Sequence, residues 1–283
     1  MKKGGMRMNI GIRLHDTAEG TLAQRLSYAK AQGFSCAHLA LSKALKGFSM
    51  NDAPALLTEA LAESVKRDFA EKQMDCAVLG CYLTLTQPDE EALQKTRAIY
   101  KAHLTFSRLM GAGVVGTETP APKGMDPHSE EAFQLFIRCL KPLVHWAEEQ
   151  NAVLAIEPVC DHIVSTPEKA ERMLNLVPSD HLRIILDSVN LLSAEAAKNP
   201  DALIEEAIRR LGDKVSVLHM KDYRPIQPGD ARAQSIACGQ GIMDYKRLLT
   251  FAKQKNLPMT LEDTVPENAQ SARENLERIA QSL

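Results

Sequence analysis

The chain contains no apolar run approaching the roughly 20 residues that span a bilayer, which excludes an ordinary membrane-spanning helix. It has no lysine- or arginine-rich tract either. With a formal net charge of -2 over 283 residues, it offers no electrostatic footprint for nucleic acid or for a membrane surface. Six cysteines, at positions 36, 76, 81, 139, 160 and 238, are scattered without C-x-x-C spacing. They read as free thiols of a reducing cytoplasm rather than as a metal or disulfide framework. The opening "MKKGGMRMNIGIRLHD" has basic residues but no apolar h-region, so a secretory signal is not expected and a cytoplasmic location is. No glycine-rich phosphate loop follows any apolar run, and no linker, low-complexity segment or second-domain boundary is visible.

What the chain does have is an alternation. Short apolar or β-branched runs are followed by longer amphipathic segments: "NIGIRL" (9–14) by a helical pattern at 21–32, "CAHLAL" (36–41) by one at 53–73, and "DCAVLGCYLTL" (75–85) by one at about 89–110. "GVVGTE" (113–118) precedes a helix at about 129–150, and "AVLAIE" (152–157) one opened by Thr166-Pro167-Glu168, a cap followed by a first-turn proline. "LRIILD" (182–187) precedes a helix at about 200–211. "VSVLHMKD" (215–222) leads through a long polar loop to a helix at about 244–255, and "PMTLED" (258–263) to one from about 266. The later runs are continuously apolar, as parallel strands covered on both faces must be. Eight strand–helix pairs predict an α/β protein, a closed parallel (β/α)8 TIM barrel forming one domain over residues 1–283.

Active sites of such barrels lie at the C-terminal ends of the strands. Here the last four predicted strands each end in one metal-capable side chain: Glu157, Asp187, His219 and Glu262. Any one of them alone reads as a helix cap, a solvated loop residue or a satisfied core histidine. Four on consecutive strands predict convergence, and three carboxylates at one barrel mouth repel unless a cation neutralises them. A donor set rich in oxygen, with one nitrogen and no sulfur, favours Mn²⁺, Mg²⁺ or Co²⁺, with Zn²⁺ also compatible. Such an ion would polarise a substrate carbonyl and stabilise an enediolate, while Glu157 and Glu262 remove and return a proton.

The segments "AIEP…STPEKA", "LDSVNLL", "LHMKD", "CGQGIMDY" and "TLED" resemble the xylose isomerase-like TIM-barrel superfamily, in its sugar phosphate isomerase/epimerase branch. That resemblance implies one divalent metal held by the residues matching Glu157, Asp187, His219 and Glu262, with the two glutamates as the proton-transferring pair. It also implies that "GQG" (239–241), with Asp244, helps shape the site. The epimerases carry a substrate-contacting histidine three residues after the strand-six aspartate, where this chain has Asn190. Their arginine after the strand-seven histidine has only an approximate counterpart in Arg224, one residue short in spacing. Further substrate-binding candidates are His15, Glu118, His162 and Lys221, although Lys221 could equally pair with Asp222. Trp146 reads as helix packing. Members are often dimeric or tetrameric, and nothing in the sequence defines an interface.

The expectation is a metal-dependent isomerase or epimerase acting on a small carbohydrate. A dehydratase of the inosose type would use the same apparatus to expel a β-hydroxyl. An abasic-site endonuclease is disfavoured by the single ligand set and the slightly acidic chain, and a non-catalytic sugar-binding barrel by the presence of both glutamates.

Overall fold

The computed structural model describes residues 8–283, so the first seven residues of the stretch weighed as a secretory signal lie outside it. Eight parallel strands close into a barrel. In chain order they are β1 (Ile10–Arg13), β2 (Cys36–Leu39), β3 (Asp75–Gly80), β4 (Val114–Thr117), β5 (Leu154–Ile156), β6 (Leu182–Asp187) and β7 (Val215–Met220). After a two-stranded hairpin, β8 (Asp222–Tyr223) with β9 (Ser235–Ile236), comes the eighth barrel strand, β10 (Met259–Leu261). Pairing of β10 with both β7 and β1 closes the ring.

The helices follow: α1 (Leu22–Ala31), α2 (Leu41–Ala44), α3 (Ala53–Leu56), α4 (Glu59–Glu71), α5 (Glu90–Met110), α6 (Glu130–Gln150), α7 (Pro167–Leu176), α8 (Pro200–Leu211), α9 (Lys246–Lys255) and α10 (Ala269–Gln281). Local chemistry sets their ends. The Thr166 hydroxyl accepts from the Lys169 amide, with Pro167 in the first turn, and α5 stops at Gly111 in the left-handed region at φ 80°. The helix expected over 53–73 is instead two helices. The Thr58 hydroxyl accepts from the Leu61 amide and starts α4 afresh, so the continuous apolar pattern hides a capped restart. The polar stretch before α9 contains the β8–β9 hairpin, whose two-residue strands are too short to show a period.

Two apolar layers hold the barrel. The larger fills the space between strands and helices; the smaller comprises Cys36, Ala77, Val78, Val114, Ala155, Ile185 and Val217. Residues two apart on a strand share a face. Ala155, Ile185 and Val217 therefore fix the direction of Glu157, Asp187 and His219, which form the next layer towards the C-terminal rim. Register agrees: Asp187 lies opposite His219 on adjacent strands. Gly80 makes room in that layer, since a Cβ there would sit 2.8 Å from His38 Nε2. Among the described residues, no helix is long and apolar enough to cross a membrane.

Candidate metal centre and active site

Glu157, Asp187, His219 and Glu262 are all buried at the C-terminal end of the barrel. His219 Nδ1 is the meeting point, 3.1 Å from Glu157 Oε2 and 3.4 Å from Glu262 Oε1. Two groups of ligand atoms lie within 4.8 Å of one another, Glu157–Asp187–His219 and His38–His219–Glu262, and they share His219. His38 is a residue the sequence reading passed over. Its ring stacks on that of His219 at 5.2 Å between centroids, and its Nδ1 lies 3.2 Å from Glu262 Oε1. His38 lies two residues after Cys36 of the inner apolar layer and so shares its face.

Each carboxylate is held on one side. Asp187 Oδ1 accepts from the amides of Val189 at 2.9 Å and Asn190 at 3.0 Å. Glu157 Oε1 accepts from Asn190 Nδ2 at 2.7 Å, and the Tyr82 hydroxyl reaches Glu157 Oε2 at 3.4 Å. Glu262 Oε2 accepts from Arg13 Nη1 at 3.3 Å and lies 3.1 Å from Lys221 Nζ. Arg13 also binds Asp16 and Asp263, so it ties β1 to the segment after β10. Asp263, directly after Glu262, has a φ of 56°, a strained conformation for a residue with a side chain.

By contrast, Asp187 Oδ2 and both ring nitrogens of His219 are buried without an aligned hydrogen bond, although oppositely charged atoms lie close. Buried polar atoms are nearly always satisfied. Inward-facing oxygens around an unsatisfied imidazole nitrogen are what a divalent cation requires, so the residues present fit a metal ion. In the protein alone the charges compensate one another. Burial opposes the imidazolium, but Glu262 and Glu157 outweigh it and push His219 up to about 9. Burial likewise opposes the Lys221 ammonium, yet Asp187 and Glu262 hold its pKa well above the ordinary value. Burial favours the neutral form of Glu262, but His219 and Lys221 hold its pKa well below the usual carboxylate range. Asp187 is raised, by burial first.

A cavity of about 350 Å³ opens from this cluster. Glu157, Glu262 and Lys221 line it together with Arg13, His15, His38, Tyr82 and Glu118. Burial pushes Glu118 up to about 7, reinforced by the charge of Glu157. His162 is half-buried, with its Nδ1 3.8 Å from Glu118 Oε2. Asn190 lies behind Glu157 rather than on the cavity wall, and Arg224 is exposed and outside the cavity lining. Lys221 does not pair with its neighbour. Asp222 instead accepts four backbone N–H groups, from Tyr223, Gly239, Gly241 and Met243, at 2.8–3.0 Å. A Cβ on Gly241 would lie 2.4 Å from Asp222 Oδ1, which accounts for the second glycine of "GQG".

The fold and this ring of polar strand ends define a class, and the family model named xylose isomerase-like TIM barrel matches residues 26–282. The chain belongs to that family. It is 25% identical over 167 residues to the D-psicose 3-epimerase of Enterocloster bolteae, covering 56% of this chain and 54% of that enzyme. It is 23% identical over 186 residues to the inosose dehydratase of Clostridium perfringens, covering 62% and 59%. The chain thus spans a little over half the length of these curated relatives. Among solved structures, the IolI protein with a binding zinc atom superimposes with a TM-score of 0.70 at 19% identity, covering 97% of this chain and 96% of that one. That likeness concerns the fold.

Proposed function

We propose that the chain is a divalent-metal-dependent isomerase or epimerase of a sugar or sugar derivative. The reading rests on one observation: Glu157 and Glu262 come from different strands, approach the same His219 nitrogen at 3.1 and 3.4 Å, and line one cavity. Glu157, Asp187, His219 and Glu262 would hold the ion, for which Mn²⁺, Mg²⁺, Co²⁺ and Zn²⁺ all suit the donor set. When bound, it supplies Lewis-acid polarisation of the substrate carbonyl.

The remaining chemistry belongs to the chain. One glutamate, kept ionised by the surrounding cations, removes the proton beside the carbonyl and becomes the acid; it returns that proton to the adjacent carbon in isomerisation, or the other glutamate, protonated from solvent, delivers one to the opposite face of the same carbon in epimerisation. Asn190 fixes the orientation of Glu157 through its 2.7 Å hydrogen bond. Arg13 and His38 do the same for Glu262. Tyr82 and Glu118 flank the substrate space, and burial of the cluster beneath it limits access of water to the reacting carbon.

A dehydratase is the second reading, favoured by Glu118. A carboxyl group pushed up to about 7 is substantially protonated near neutrality and serves as an acid for a departing hydroxyl. Incubation of the Mn²⁺-loaded protein with ketoses and with inososes in D₂O separates the two. Deuterium at the carbon beside the carbonyl, without loss of water, supports isomerisation or epimerisation; a new enone absorbance with loss of water assigns a dehydratase.

A further inference from the structure

Lys221 is a lysine buried within the carboxylate cluster. Its ammonium lies 3.0 Å from Asp187 Oδ2 and 3.1 Å from Glu262 Oε2, and it donates to Asn190 Oδ1 at 3.3 Å. Asn190 in turn donates to Glu157. One side chain is therefore connected to all three carboxylates, to two directly and to the third through an amide. Asp187 Oδ1 is already occupied by two backbone N–H groups, so Oδ2 is the oxygen available to any other cation. That atom is also a candidate ligand atom. The ammonium and a divalent ion draw on the same oxygen.

We propose that Lys221 is an internal counter-cation of the metal centre, holding the ligand carboxylates together in the metal-free protein and lowering their affinity for a divalent ion. The proposal rests on the metal reading above. Its physical basis is charge. A ligating His219 must give up its proton, and the three carboxylates facing Arg13 and Lys221 then carry a net charge of about -1, a modest attraction for a doubly charged ion. Without Lys221 the metal-free cluster would carry one more uncompensated buried charge, which is costly. The same loss would deepen the attraction for the ion.

The test uses the full chain and its Lys221→Met and Lys221→Arg variants, stripped with chelator. Each is titrated calorimetrically with MnCl₂, and thermal unfolding is followed with and without Mn²⁺. The expected result for Lys221→Met is a lower Tm without metal, a Tm restored by Mn²⁺, and Mn²⁺ bound at least about tenfold more tightly, because one repulsive charge within a few ångströms is gone. Lys221→Arg keeps the charge and stays within about threefold of the wild type. If Lys221→Met is obtained only metal-loaded, release of Mn²⁺ into excess chelator replaces the titration, and it slows at least tenfold. Wild-type protein that binds Mn²⁺ while Lys221→Met binds it equally or more weakly overturns this proposal alone. Wild-type protein that binds no divalent ion overturns the metal reading and this proposal with it.

Discussion

The two halves of the barrel mouth are built differently. Strands β5, β6, β7 and β10 bring Glu157, Asp187, His219 and Glu262 together at their C-terminal ends, fixed by strand register and by local hydrogen bonds such as those from the Val189 and Asn190 amides. Strands β1 to β4 and their loops contribute a more mixed set, Arg13, His15, His38, Lys43, Met50, Tyr82 and Glu118, which wall the cavity. The first half also contains the insertion of short helices between β2 and α4. One half carries most of the groups suited to bind an ion, and the other, apart from His38, mainly gives the cavity its shape. Substitutions in the two halves should therefore fail in different ways.

The largest effect is expected from the acid half. Glu157→Gln and Glu262→Gln, assayed with Mn²⁺ on the substrate that the solvent-exchange screen identifies, should each lower kcat by about a hundredfold to ten-thousandfold; full turnover in both would remove the mechanism. Next comes His219→Ala, which removes the nitrogen on which both glutamates converge. Its Mn²⁺ affinity by calorimetry should fall by at least about a hundredfold, with the backbone fold retained by circular dichroism.

In the first half, Tyr82→Phe loses only a 3.4 Å contact to Glu157, and Lys43→Ala only an exposed wall residue. Each should change kcat less than about tenfold, and Lys43→Ala should act mainly on KM. A fall in kcat as large as that of Glu157→Gln would erase the distinction between the halves.

The smallest effect concerns stability. His103 on α5 is buried, donates to the Ile99 carbonyl and meets Phe48 edge-on at 6.5 Å. Burial lowers its pKa from 6.5 to about 4, against the hydrogen bond to Ile99. At pH above about 6.5 the ring is neutral whether the chain is folded or unfolded. Below that, the unfolded chain takes up the proton first, so stability present above pH 6.5 is lost as pH falls towards 4. The loss is on the order of 3 kcal/mol at full extent. Denaturant titrations across this window should show a shallower slope for His103→Gln than for the wild type.

The second half was legible in the sequence because each apolar run carries a metal-capable side chain at or next to its end, so strand end and ligand candidate nearly coincide. The first half was not. Arg13 closes "NIGIRL" as a cation that fits no ligand pattern, and its partners Glu262 and Asp263 lie about 250 positions away until β1 meets β10. His38 sits inside "CAHLAL" rather than at its end, and its place beside Glu262 follows only once β2 lies in the closed barrel with β1 and β10. Tyr82 follows its strand by two residues and reads as part of a longer run. Asn190 was visible as a departure from the epimerases, but its bond to Glu157 is a fact of packing, and Arg224 was matched by spacing to a place the cavity does not reach. The restart at Thr58 and the β8–β9 hairpin depend on single hydrogen bonds that leave no periodic trace.

Asp222 has a consequence for engineering. Its carboxylate gathers the beginning and end of the segment between Tyr223 and Met243 onto one side chain, three residues after His219 of β7. The tip of that segment, residues 225–230, is exposed or half-buried and precedes the β9 strand and the buried Ala233, Ala237 and Cys238, so it is the part open to replacement. Its length and composition can be rewritten while the clamp at Asp222, Gly239 and Gly241 keeps the rewritten part from pulling on the strand that carries His219.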